Sequence, residues 1–185
     1  MFLFYATRDG QARRIADRIA ARLAERAIVA TPINLAGATL TTADLSRAPL
    51  AIAVLAVRYG RHLPETKTLL KLHRACASPP PLVVASVNLT ARKEGKDTAE
   101  GNAYLRKLIA RNKLKPALAT AFAGRLDYPR YGFFDKQIIR FIMLLTGGPT
   151  DPKATVDFTP WEKVDAFAGE IAALYQRIKD AGPGG

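Results

Sequence analysis

Two runs, Leu50-Ala51-Ile52-Ala53-Val54-Leu55-Ala56-Val57 and Leu82-Val83-Val84-Ala85-Ser86-Val87, are apolar at nearly every position. A strand with one wet face alternates polar and apolar residues. A run without alternation is a strand buried on both faces, as in the interior of a parallel sheet. Further strand-like runs stand at residues 2–6, 29–35 and 117–124, and the fourth run extends to residue 88. Helical periodicity appears at residues 11–27, 64–77, 98–112 and 160–179. Strands alternating with helices make parallel crossovers. The expected fold is α/β: a three-layer, doubly wound, five-stranded parallel sheet whose ligand lies at the carboxyl ends of the strands.

The 185 residues suit one domain, residues 1–180, with a disordered tail at 181–185. A single cysteine, Cys76, excludes an internal disulfide framework and fits a reducing compartment. No signal peptide is expected, because Met1 runs straight into a strand and Arg8 interrupts the apolar run. The charge is unbalanced, with 28 basic against 16 acidic residues and a net charge of +12. Such a surface attracts nucleic acid, anionic lipid or an anionic small molecule.

The first strand feeds Thr7-Arg8-Asp9-Gly10-Gln11-Ala12, and a helix follows with Ile15, Ala16, Ile19, Ala20 and Leu23 on one face. The first N–H groups of a helix are unsatisfied and carry the positive end of its dipole, so this loop can hold a phosphate. Thr7 or Asp9 serving only as a helix cap is the plainer alternative.

After residue 124 the alternation breaks. An insert at residues 126–150 holds a thirteen-residue helical stretch, 133–145, with Phe134, Ile138, Phe141, Ile142 and Leu145 on one face. A bilayer span needs about 20 residues. With Lys136 and Arg140 beside the stripe, the composition is that of a helix lying in a membrane interface. A core helix or a subunit contact has the same stripe, and a homo-oligomer stays open.

Candidate chemistry lies in the loops after the third and fourth strands. Tyr59 beside Gly60 offers an aromatic face and a flexible peptide to a flat ligand. His62 offers a proton shuttle or is a solvated loop histidine, and His73 reads as an exposed helix residue. No His/Cys set stands at metal-ligand spacing, no nucleophile elbow occurs, and no Gly-x-x-x-x-Gly-Lys loop occurs. With few catalytic groups in the chain, a bound cofactor carries the chemistry.

Several segments together resemble the flavodoxin-like, quinone-linked protoporphyrinogen IX dehydrogenase family of bacterial haem synthesis. They are Thr7-Arg8-Asp9-Gly10-Gln11, Val57-Arg58-Tyr59-Gly60, Ser86-Val87-Asn88-Leu89-Thr90-Ala91-Arg92-Lys93, Tyr128-Pro129-Arg130-Tyr131, Gly147-Gly148 with Thr150-Asp151, and Phe158-Thr159-Pro160-Trp161. The resemblance implies a flavodoxin-like strand order of 2-1-3-4-5, with the insert after the fifth strand. It implies FMN, its phosphate held by Thr7, Arg8, Asp9, Gly10, Gln11 and Ala12. The flavin ring would lie between Val57, Arg58, Tyr59 and Gly60 on one side and Ser86, Val87, Asn88, Leu89, Thr90 and Ala91 on the other. Asp9 and Ala12 depart from the hydroxyl residues usual in such a loop. Either Asp9 turns away, or Arg8 and Arg13 offset its charge.

The implied reaction takes six electrons from protoporphyrinogen IX, in three two-electron steps, and passes them to a membrane quinone. Arg58, Arg61, Arg92, Lys93 and Arg130 are candidates to meet the substrate propionates. Tyr59 and His62 are the candidates for proton transfer, although no base is required. The implied location is the cytoplasmic side of an anionic membrane surface, with Phe134, Ile138, Phe141, Ile142 and Leu145 in contact with lipid. A flavodoxin-like electron carrier, an NAD(P)H:quinone reductase and a basic nucleic-acid-binding module are the rivals. Carriers are generally acidic, no nicotinamide fingerprint occurs, and basic residues interleave with aromatic ones only around residues 128–131, so no nucleic-acid partner is expected.

Overall fold

The computed structural model describes residues 1–145 and 147–182, without the side chain of Leu145; the expected tail beyond residue 182 lies outside the described residues. In chain order the elements are β1 (Phe2–Ala6), α1 (Gln11–Ala24), β2 (Pro32–Asn34), α2 (Thr42–Ser46), β3 (Ala51–Arg58), β4 (Arg61–His62), α3 (Pro64–Ala75) and β5 (Leu82–Val87). They continue with α4 (Ala103–Asn112), β6 (Leu118–Phe122), β7 (Arg125–Asp127), α5 (Phe133–Leu145), β8 (Thr155–Asp157) and α6 (Trp161–Asp180). The parallel sheet has the order β2-β1-β3-β5-β6, which is the doubly wound arrangement expected, and β4 folds back antiparallel on the end of β3.

Alternate residues of the central strands supply the two cores. Leu3, Tyr5, Ile52, Val54, Val83 and Ala85 face α1 and α6, where Ile15, Ile19, Leu23, Phe167 and Ile171 close the layer. Phe4, Ala51, Ala53, Leu55, Leu82 and Val84 face α3 and α4, against Leu69, Leu70, Leu105 and Leu108. The period of two along each strand divides one apolar run between both layers.

Four short elements are not visible as periodicity: α2, β4, β7 and β8. The helix α2 is set by a capping box, in which Thr41 accepts from the Asp44 N–H and the Asp44 carboxylate accepts from the Thr41 N–H. β2 is shorter than the apolar run around it, and Val29 is exposed. Pro32 has no N–H to give, which suits the edge strand it begins. β7 and β8 pair antiparallel, Leu126 opposite Val156, and so clasp the two ends of the insert. Within the insert, Leu126, Tyr128, Tyr131 and Met143 form a small third core beneath α5. The Tyr128 hydroxyl ties it down by donating to the Pro149 carbonyl at 2.7 Å.

Phe122 is fully buried at the end of β6 and meets Phe167 of α6 edge to face, centroids 5.7 Å apart. Phe122→Ala is expected to lower the unfolding free energy by about 3–5 kcal/mol. Urea denaturation measures it; a loss well below that range would mean that α6 does not depend on this contact.

Candidate active site

The loop after β1 leaves the first turn of α1 uncapped and open. Gly10 starts α1 at φ +86°, with no side chain capping the helix and no acidic residue in its first turn. Its own N–H donates to Thr7 Oγ1 at 2.9 Å, and a Cβ placed at Gly10 would meet nothing within 4 Å. The amides of the first turn therefore face open space at the positive end of the dipole. The Asp9 carboxylate is turned onto the Arg58 guanidinium, 3.1 Å away. Arg8 is paired with Glu65 at 2.6 Å and Arg13 with Asp17 at 3.6 Å, so of the two ways to accommodate Asp9 the structure takes the first. From behind, Gln11 donates to Thr159 Oγ1 at 2.6 Å and to Asp157, and Arg14 donates to Asp157 at 3.0 Å. These contacts join the loop to the β8–α6 junction. Hydrogen bonds and the Arg14 charge hold the Asp157 carboxyl below its ordinary range against the opposing effect of burial.

The turn between β3 and β4 consists of Tyr59 and Gly60, both at positive φ, +50° and +74°. Two such residues between antiparallel strands make a type I′ turn, a geometry in which Asn-Gly is the comfortable pair. A tyrosine there costs roughly 1–2 kcal/mol. What the position gives is a half-exposed ring at the strand end, with the Arg58 guanidinium 5.3 Å from its centroid. The Tyr59 hydroxyl and Arg58 both donate to Asp135 in the first turn of α5. These contacts, the Tyr59 hydrogen bond first, hold the Asp135 carboxyl below its ordinary range.

His62 is not the solvated loop histidine that its surroundings in sequence imply. β4 folds it against β5, and its Nε2 lies 2.9 Å from Ser86 Oγ. The Asn88 side-chain amide donates to the same oxygen at 3.1 Å, and Asn88 and Asn102 exchange hydrogen bonds beneath the surface. Burial pushes His62 down to about 4, so it is neutral at pH 7. His73 is likewise half-buried, bonded to the Pro80 carbonyl at 2.8 Å, rather than exposed.

These elements border one cleft at the carboxyl ends of the strands. Its walls are Thr7, Asp9, Gln11 and Ala12, then residues 56–60, then residues 87–90, with Gly124, Arg125, Tyr104, Tyr131, Ile139 and Ile142 completing it. Of the residues assigned from sequence to a cofactor, Thr7, Asp9, Gln11, Ala12, Val57, Arg58, Tyr59, Gly60, Val87, Asn88, Leu89 and Thr90 line it. Ser86 and Ala91 lie buried beneath it, while Arg8 and Gly10 border it from the loop. Arg61, Lys93 and Arg130 are exposed, and Arg92 donates to the Leu89 carbonyl at 2.8 Å with its guanidinium 5.8 Å from the Phe158 ring.

Sequence reasoning missed Ala56, Tyr104, Gly124, Arg125, Tyr131 and Ile139 as cleft residues. Gly124 and Arg125 were findable, since they follow the last strand of the sheet, where a doubly wound fold places its ligand. Tyr104 sits on an amphipathic helix and carried no signal.

α5 leans over this cleft through Ile139 and Ile142, with Met143 fully buried below it. Its outer side is exposed: Phe133, Phe134, Phe141 and Leu144 are 61–79% exposed, and Ile138 and Ile142 are 47% and 44% exposed. Leu145, expected on the same stripe, has its side chain outside the described residues. Among the described residues no helix is long and apolar enough to cross a membrane, and no cluster of side chains could hold a metal ion.

Residues 2–153 match the flavodoxin domain family. Protoporphyrinogen IX dehydrogenase (quinone) of Leishmania major is 38% identical to this chain over 174 residues, 93% of this chain and 74% of that protein. The protein of the same name from Escherichia coli strain K12 is 35% identical over 172 residues, 93% of this chain and 94% of that one. Among solved structures, oxidised flavodoxin 1 of Bacillus cereus superposes with a TM-score of 0.56 at 12% identity, covering 93% of this chain and 96% of that one. The flavodoxin of Streptococcus pneumoniae TIGR4 gives 0.54 at 14% identity, covering 94% and 97%. The structural matches establish the fold.

The lowered pKa of His62 sets a pH dependence. The unfolded chain binds the His62 proton near pH 6.5 and the folded one only near 4. Stability is therefore full above about pH 6.5 and falls as the pH drops toward 4, by about 3 kcal/mol in total. In His62→Gln this component is absent while carboxylate effects remain. Urea unfolding of both proteins at about pH 7 and about pH 4.5 is expected to show wild type losing about 2 kcal/mol more than the variant. Equal losses would mean that His62 is not buried as a neutral ring.

Proposed function

The chain belongs to the flavodoxin-domain family and, within it, to the group of protoporphyrinogen IX dehydrogenases (quinone), and on that premise we propose that it oxidises protoporphyrinogen IX to protoporphyrin IX through bound FMN, with a membrane quinone as electron acceptor. The observation that carries this reading is the single cleft running from the open first turn of α1 to the Tyr59-Gly60 turn. Its parts suit FMN: uncapped amides and a free Cβ position for a phosphate, and an aromatic, apolar slot between residues 57–60 and 87–90 for a flat ring. FMN, when bound, accepts and releases electrons in pairs. One protoporphyrinogen IX gives up six electrons and six protons, which convert three quinones to three quinols.

The chain's own residues bind and orient. Thr7, Gly10, Gln11 and Ala12 supply the anion cradle. Asp9 stays out of it while paired with Arg58. Tyr59 offers its ring to one wall, and Gly60, free of a Cβ and at φ +74°, lets the adjoining peptide reorient. Leu89 and Thr90 form the facing wall. Arg61, beside the turn, and Lys93, beside the facing loop, are placed to give charge-assisted hydrogen bonds to propionates, with Arg92 and Arg130 as further candidates. His62 is neutral, bonds to Ser86 and does not line the cleft, whereas the Tyr59 side chain does.

The bare apolar side of α5 is the membrane contact in this reading. Phe134, Ile138 and Phe141 would enter the interface, with the net charge of +12 drawing the protein to anionic lipid.

Three outcomes follow. Purified protein loaded with FMN, given protoporphyrinogen IX and a quinone without oxygen, is expected to form fluorescent porphyrin; failure to do so overturns the reading. Gly10→Glu puts a carboxylate in the phosphate space and is expected to lower flavin content at least about tenfold. Gly10→Ala, strained but with room for its methyl group, keeps most of it; flavin content unchanged in Gly10→Glu would remove the loop from the binding site. Replacement of Phe134, Ile138 and Phe141 by Ser is expected to weaken binding to anionic vesicles by about tenfold or more in sedimentation. Undiminished sedimentation would leave α5 without a membrane role.

A further inference from the structure

Ile142 belongs to two surfaces at once. It lines the cleft, and it is also 44% exposed beside the bare stripe of α5. At about 100° per residue, Phe134, Ile138 and Phe141 fall within about 60° of one another. Ile142 comes next around the helix, then Ile139 on the cleft wall, then Met143 underneath. Ile138 and Ile142 are four residues apart and Ile139 and Ile142 three, so the side chains form a continuous apolar ramp from the outer face into the cleft. The polar side chains of Lys136, Gln137 and Arg140 lie on other sides of the helix. Asp135, which does share this side, is engaged by Arg58 and Tyr59 at the helix start.

We propose that this ramp is the path of the quinone's isoprenoid tail, with the quinone ring in the cleft and the tail running out over Ile142 toward Ile138 and Phe141. The inference rests on the reaction proposed above and adds the acceptor's subsite to it. Charge decides between the two substrates. A tetrapyrrole with two propionates needs cations along its route, and the ramp has none, whereas an isoprenoid tail needs only continuous apolar surface. α5 thereby makes the enzyme selective for tailed quinones.

The test compares two acceptors, a quinone with a short isoprenoid tail and the same ring without one, using FMN-loaded protein and no vesicles. The ratio of kcat/KM for tailed over tailless quinone is expected to be about ten or more in wild type. It should fall toward one in Ile142→Ser and in Ile138→Ser. Leu144→Ser, about 160° around the helix from Ile142 and about 120° from Ile138, is the control and should keep the wild-type ratio. Equilibrium dialysis of the tailed quinone is expected to show the same order of affinities. A ratio near one in wild type, or one that falls equally in Leu144→Ser, overturns the ramp while the reaction itself stands. No porphyrin from wild type with either quinone overturns both. A dimer in solution that breaks up in Ile138→Ser would assign the stripe to a second copy of the chain and also overturn the proposal. If Ile142→Ser fails to fold, Ile142→Ala carries the same expectation with a smaller fall.

Discussion

Burial of β3 and β5 on both faces confines the chemistry of this molecule to one edge. Residues 51–55 and 82–86 are sealed between helices, so no ligand can reach the middle of the sheet. Polar groups that must meet a ligand can come only from where the parallel strands stop. The parallel strands all stop on the same side, and three loops and a turn converge there without any further instruction from the sequence. Ser86 marks the limit of this arrangement. It is the last polar side chain inside the layer, fully buried, and it is tolerated because His62 and Asn88 both bond to it.

Arg58 turns that convergence into a single unit. Its guanidinium reaches Asp9 on the first loop and Asp135 on α5, while lying against the Tyr59 ring. Three segments that are distant in sequence are thus fixed by one side chain at the exit of the most buried strand. A surface ion pair of this kind contributes little to stability. Its consequence is geometric: it turns the Asp9 carboxylate onto Arg58 and sets the start of α5 against the turn. The strain of a tyrosine at positive φ belongs to the same arrangement, since from that turn position its hydroxyl reaches Asp135 while its ring lies at the cleft.

The layers of the fold were legible because their signals are local. An unbroken apolar run means a doubly buried strand, and a period of 3.6 means a covering helix. The first loop, the turn and the loop after β5 were legible for a related reason, since strand ends locate them. What the sequence hid depends on pairing. His62 reads as a loop residue until β4 folds back on β3, and no periodicity announces a two-residue strand. Asp157 and Thr159 hold Gln11 from nearly the whole length of the chain away. Tyr104 reaches the cleft only because of how α4 docks, while Arg125 was visible in position but not in role.

The bare side of α5 is the place where the ordinary economy of a globular protein is broken. A helix that covers a sheet turns its apolar face inward. Among its described side chains this one buries Met143, turns Ile139 and Ile142 to the cleft and leaves four large side chains more than half exposed. Scattered exposed apolar residues need no account, but several together on one short helix do. Instability is not the reason, because the insert is clasped by β7 and β8 and anchored at its start by Asp135 and below by the Tyr128 core. A rigidly held apolar surface beside the cleft suits a reaction in which both the electron donor and the acceptor are poorly soluble in water. Firm attachment also follows from that demand. α5 is attached at its start through Asp135 and beneath through Met143, with Ile139 and Ile142 on the cleft and its outer side exposed.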